Sequence, residues 1–192
     1  VPDLLLWAAA NAFAVNADAT RALVQECRRA GVRDFLFAGT IAVKYPDVGH
    51  YAYARAKQQA EASVRESGLR YTIVRPTIVL GADSPVWRQI ARLAARHVIV
   101  LPGHGRVRIQ PIFVADLVND ILTLLRNDDF DQRLYELGGP EITSFDSFVR
   151  RVHRMRSGHD ARVVHVPLGP VVPLLTLVET AVKRFPIKVG QL

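Results

Sequence analysis

Cysteine is almost absent: Cys27 stands alone among 192 residues, which excludes a disulfide framework. No Cys/His grouping has the spacing of a zinc site, so no metal is expected. Long apolar runs are missing too. The most apolar stretch, residues 163–178, is broken by Pro167, Pro170 and Pro173 and followed by Glu179, Lys183 and Arg184. A spanning helix needs roughly 20 nearly continuous apolar residues. The Val1-Pro2-Asp3 start carries no basic segment ahead of its apolar run, unlike a signal peptide. A soluble, cytoplasmic protein without membrane contact is the expectation.

Acidic residues are outnumbered, 18 Asp+Glu against 25 Lys+Arg, for a net charge of +7. Most of the excess is Arg in an Ala-rich, Val-rich chain, a skew typical of codon bias. Alone it supports only weak, non-specific attraction to polyanions. The one dense cluster is Arg150, Arg151, Arg154 and Arg156 around His153. It follows Phe145, Phe148 and Val149 and reads as the solvated face of an amphipathic helix. No nucleic-acid motif accompanies it, and nucleic acid is not an expected partner.

What is present has globular proportions. Hydrophobic residues make up 49% and charged residues 22%, which excludes disorder and collagen-like repeats. Short apolar runs alternate with amphipathic stretches. Asp3 to Trp7 reads as a buried strand, and Asn16 to Thr20 leads into a helix stopped by Gly31. Asp34 to Phe37 is a second strand, Tyr53 to Ser67 a helix closed by Gly68, and Tyr71 to Val74 a third strand cut off by Arg75-Pro76. Apolar strands alternating with helices indicate an α/β protein with a parallel sheet covered on both faces. The second half is less regular. It offers helices at Val86 to Ala95, Val114 to Arg126 and Phe145 to Met155, and a last one after Pro170. Strands are expected at Val98 to Leu101, Val107 to Ile112, Leu134 to Leu137 and Val163 to Val166.

The residues that can carry chemistry lie between Phe35 and Lys57. Tyr53 and Lys57 are four apart at the start of a predicted helix, so they share a face. A phenol is a poor base at neutral pH, but an adjacent ammonium favours the phenolate. The pair suits proton exchange in a carbonyl/alcohol interconversion. Thr40 follows the C-terminal end of a buried strand, where open α/β sheets bind ligands, and its hydroxyl can hold the substrate oxygen. The competing reading is that Tyr53 only packs and Lys57 is a solvated helix residue. Tyr45 and Tyr51 are alternative phenols, but neither has Lys four residues on.

With these motifs in place, the sequence resembles the short-chain dehydrogenase/reductase superfamily, in its extended or atypical NAD-dependent epimerase/dehydratase-like branch. Asp3 to Ala9 resembles the family's fourth strand, with Ala8 and Ala9 beside the cofactor. Val15 to Thr20 resembles its Asn-x-x-Gly-Thr helix start and puts Asn16 at the structural Asn. Thr40 lies where a catalytic Ser is usual, and Tyr53 and Lys57 fall on the catalytic pair. Val74 to Gly81 resembles the Arg-Pro turn, so Arg75, Pro76, Thr77 and Ile78 would line the nicotinamide side. Gly103-His-Gly105-Arg106, then Gln110-Pro111 to Asp116, resembles the substrate-side hairpin and the helix after it. Tyr135 to Pro140 with Thr143 to Phe145 resembles the closing strand and helix. The thirteen residues from Thr40 to Tyr53 and the Pro-rich tail resemble the group related to the complex I accessory subunit.

The resemblance implies a Rossmann-like doubly wound parallel sheet with a small C-terminal α+β substrate-side region. Residues 1–81 would be the end of the dinucleotide-binding part and 82–192 the substrate-side and closing part of one folding unit. It implies an NAD(P)-dependent oxidoreductase or epimerase/dehydratase-like protein acting on a carbonyl/alcohol, nucleotide-sugar substrates included, with NAD or NADP as cofactor. The alternative is a non-catalytic NAD(P)-binding sensor or assembly subunit. A homodimer through the helices near Asn16 and Tyr53 is expected by the same analogy. Two departures stand out: Thr replaces Ser at position 40, and the family's N-terminal strands with their Gly-rich first turn are not in the sequence. Gly31 and Gly103-x-Gly105 cannot replace that turn, because neither joins a buried strand directly to a helix.

Overall fold

The computed structural model describes residues 11–49 and 51–167. The strand expected at Asp3 to Trp7, Ala8 and Ala9, and the helix expected after Pro170 lie outside them. The described residues fall into two compact units, one running up to residue 77 together with 115–138 and the other comprising 78–114 with residues from 139 on. Among the described residues no helix is long and apolar enough to cross a membrane.

The first unit is helical from residue 11, widens into a π-type turn at Ala14–Asp18 and continues as α1, Ala19–Arg29. The helix therefore starts earlier than the Asn16-centred signal suggests, and that signal marks the widened turn. After α1 come β1 (Asp34–Ala38), a 3-10 turn at Ile41–Lys44, α2 (Ala52–Arg65) and β2 (Arg70–Pro76). Gly31 and Gly68 stop the two helices at φ +72° and +74°, a conformation nearly free of strain only for glycine.

β1 and β2 pair in parallel, with Phe35 opposite Tyr71 and Phe37 opposite Ile73. Buried Tyr71, Thr72, Ile73 and Val74 explain why β2 reads as an unbroken apolar run: both its faces are covered. The core joins Ile73, Phe37 and Leu69 to Val24 of α1 and to Ala60 and Val64 of α2. Alanines at 54, 56 and 60 let α2 approach the sheet closely.

In the second unit, β3 (Val79–Leu80) is followed by α3 (Pro85–Ala94), β4 (Val98–Pro102), β5 (Arg108–Ile109) and β6 (Ile112–Phe113). The chain returns to the first unit through α4 (Val114–Arg126) and β7 (Asp131–Leu137), the parallel partner of β2. β2 does not stop before Arg75, as expected, but runs on with Arg75 opposite Glu136 and Pro76 opposite Leu137. Proline is tolerated there as the strand's last residue.

β8 (Thr143–Ser144), α5 (Phe145–Ser157) and β9 (Arg162–Val166) complete the second unit. β4 pairs with β9 and β3 with β6, both in parallel, while β5 and β8 are antiparallel. The single strand expected at Val107 to Ile112 is thus two short ones in different sheets. Gln110-Pro111 separates them, because Pro111 has no N–H to give to a ladder. Gly139 packs against this break, where an added Cβ would stand 1.9 Å from the Pro111 carbonyl oxygen. Ser84 and Ser144 cap α3 and α5 by accepting from the Trp87 and Ser147 amides. A core of Ile90, Ile99, Leu101, Val149 and Val152 fills the unit.

Candidate active site

The first unit brings the expected chemistry to the end of β1. Thr40 is extended, and its hydroxyl accepts from the Ala42 amide to start the 3-10 turn. Gln58 donates to the Val43 carbonyl at 2.9 Å, which ties that turn to α2. One residue earlier on the helix, Lys57 donates from Nζ to the Ala38 carbonyl at 2.9 Å and lies 4.9 Å above the Phe37 ring. Lys57 thus reaches the strand end two residues before Thr40. Tyr53 is one turn back on the same face of α2 and 37% exposed, with its ring 5.8 Å from that of Tyr51.

The electrostatics correct one expectation. Tyr53 is pushed up from the ordinary phenol value, first by burial and then by Tyr51. The sequence suggested a downward pull from Lys57; the shift runs upward instead, and Lys57 Nζ donates to the Ala38 carbonyl. Lys57 itself is lowered by burial, and Glu61 opposes that shift. A neutral phenol, a hydroxyl and a strand-end ammonium can donate a proton to a carbonyl and hydrogen-bond sugar hydroxyls.

The remaining candidates divide. Asn16 donates from Nδ2 to the Ala12 carbonyl at 3.0 Å, and Thr20 bonds back to the Asn16 carbonyl, so this side chain holds the widened turn. Arg75 has its guanidinium engaged by Glu61, at 3.0 Å from Nε and 2.7 Å from Nη2. Pro76 sits in the β2–β7 pairing, and the Thr77 amide donates to the Leu137 carbonyl. Ile78 belongs to the second unit, where its carbonyl accepts from the Ile112 amide. The residue that sequence reasoning missed is Glu61, a charged side chain only 3% exposed. Its signal was available: it stands between Ala60 and Val64 on a buried face, one turn past Lys57.

Fold, site chemistry and sequence match together define a class. Residues 3–97 match the family model described as NAD(P)H-binding, and this part of the chain is an NAD(P)-binding domain with a Rossmann-like parallel sheet. More particularly, the chain is 24% identical over 118 residues to the mitochondrial NADH dehydrogenase [ubiquinone] 1 alpha subcomplex subunit 9 of Dictyostelium discoideum. That match covers 62% of this chain and 33% of the relative. It is 29% identical over 112 residues to a ceramide reductase of Caulobacter vibrioides, covering 58% and 34%. Among solved structures it is similar to a UDP-glucuronic acid 4-epimerase from Bacillus cereus in complex with NAD. There the TM-score is 0.68 and the identity 16%, over 79% of this chain and 56% of that one. The alignments span about a third of the curated relatives' length. The fold that this solved structure shares with the chain is a Rossmann-like α/β fold with parallel strands.

Proposed function

We propose that this protein is an NAD(P)-dependent oxidoreductase or epimerase acting on a carbonyl/alcohol group, with Thr40, Tyr53 and Lys57 as its reacting set. The observation that carries the proposal is the convergence of Lys57 and Thr40 on the end of β1, with Tyr53 one turn away on the same helix face. The donor set fits the ribose–nicotinamide half of the cofactor: an ammonium and a phenol for hydroxyls, at the C-terminal end of a parallel strand. When bound, NAD(P) supplies or accepts the hydride. Tyr53, neutral in the resting protein, gives its proton to the carbonyl oxygen during reduction and takes it back from the alcohol during oxidation. Thr40 orients the same oxygen through its hydroxyl. Lys57 holds the ribose and offers a positive charge when the phenolate forms.

The named relatives suggest two substrate classes, a nucleotide sugar from the epimerase and a ceramide-related compound from the reductase. A test is deuteride transfer from 4-deuterated NAD(P)H across a panel containing both. Deuterium in a product supports the proposal. The similarity to a complex I subunit favours a second reading, an assembly subunit that binds the cofactor without turnover. Tight cofactor binding with no transfer to any panel member would select it.

A further inference from the structure

Glu61 is a carboxyl side chain buried against the candidate site, and its surroundings give it more than a packing role. Both of its oxygens accept from Arg75, and Arg65 approaches to 3.5 Å. Arg75 also stands 3.6 Å from Glu136, whose other oxygen accepts from Lys44 in the 3-10 turn. On the opposite side, an added Cβ at Gly39 would lie 2.7 Å from Glu61 Oε1. The carboxylate is therefore seated against the backbone of Gly39. That residue lies between Ala38, which receives Lys57, and Thr40.

We propose that the Glu61–Arg75 pair is a positioning device for the reacting set: the carboxylate seats the Ala38-Gly39-Thr40 backbone and supplies the counter-charge beneath Lys57, while Arg75 fixes the carboxylate. A buried ion pair is a poor source of net stability, because desolvating two charges offsets most of their attraction. A role in placing the site accounts for a pair that packing alone does not require. Glu61 opposes the lowering of Lys57 that its burial causes. The charged group acting on that ammonium is Glu61, one turn on along α2; Glu61 in turn holds Arg75 on β2, which stands beside Glu136 on β7 and, through it, Lys44 in the 3-10 turn.

This inference rests on Tyr53 and Lys57 being the reacting pair, but its test does not need turnover. The chain has four lysines, at 44, 57, 183 and 188, so a 13Cε NMR titration of the full chain resolves Lys57 individually. In Glu61→Gln the Lys57 midpoint is expected to fall by about one pH unit, with Lys188 unmoved as control. The double variant Glu61→Gln/Arg75→Met removes both charges and is expected to regain the wild-type Tm while its Lys57 midpoint stays lowered. Gly39→Ala, which keeps every charge, is expected to displace the carboxylate and lower the midpoint too. If Lys57 titrates as in wild type in the folded double variant and in Gly39→Ala, the pair is structural only and the proposal is overturned. Loss of turnover in Tyr53→Phe is a separate readout, so failure of the reacting-pair reading is distinguishable from failure of this one.

Discussion

The two units handle burial differently. In the first, β2 is covered on both faces, and its central residues from Tyr71 to Val74 are all buried. In the second, β4 alternates: Ile99 and Leu101 point into the core while Val98 and Val100 remain 41% and 48% exposed. The buried ionisable groups differ in the same way. Glu61 pairs with the guanidinium of Arg75 at 2.7 Å. His153 is held by a neutral partner, with Nδ1 donating to the Ala94 carbonyl at 2.8 Å. A fully covered strand gives an immobile end on which reacting groups can be set to a fraction of an ångström.

The comparison can be broken by mutation, and the largest effect is expected at the ion pair. Glu61→Ala leaves Arg75 charged and partly buried without its carboxylate and should cost about 3–5 kcal/mol in chemical denaturation. Matched core truncations come next. Ile73→Ala in the doubly covered β2 should cost about 4 kcal/mol and Ile99→Ala in β4 about 3 kcal/mol. Equal costs would show that coverage of the strand does not matter. Val100→Thr, on the open face of β4, should change stability by less than about 0.5 kcal/mol.

The smallest effect is a pH dependence. Lys57 is lowered in the folded protein from its usual 10.5, so the unfolded chain binds its proton more tightly. Stability should therefore rise as pH climbs through the window just below 10.5, and Lys57→Met should remove that rise. Tyr53, raised from 10.0, acts oppositely: stability should fall as pH passes upward through 10.0 and beyond, and Tyr53→Phe should remove that fall. Urea melts from pH 8 to 11 measure both.

Much of this architecture was legible in the residues. Unbroken apolar runs marked β1 and β2, and glycines 31 and 68 marked the helix ends. A hydroxyl at a strand end followed by Tyr53 and Lys57 marked the candidate site. What escaped was non-local. Glu61 pairs with Arg75, fourteen positions on, while its helical spacing to Arg65 disguises it as a surface i,i+4 pair. The upward shift of the Tyr53 phenol comes from burial and from Tyr51, and the Lys57 ammonium bonds to Ala38, nineteen residues back. The division at Gln110-Pro111 was visible as a proline, but assigning its two halves to β8 and β3 required the fold.

The most direct test of the reacting set is turnover of NAD(P)H by Tyr53→Phe, with cofactor affinity measured in parallel on the full-length protein. The expected result is a loss of about 10²–10⁴-fold in turnover with affinity retained. Turnover equal to wild type would contradict the assignment of Tyr53 as the proton donor.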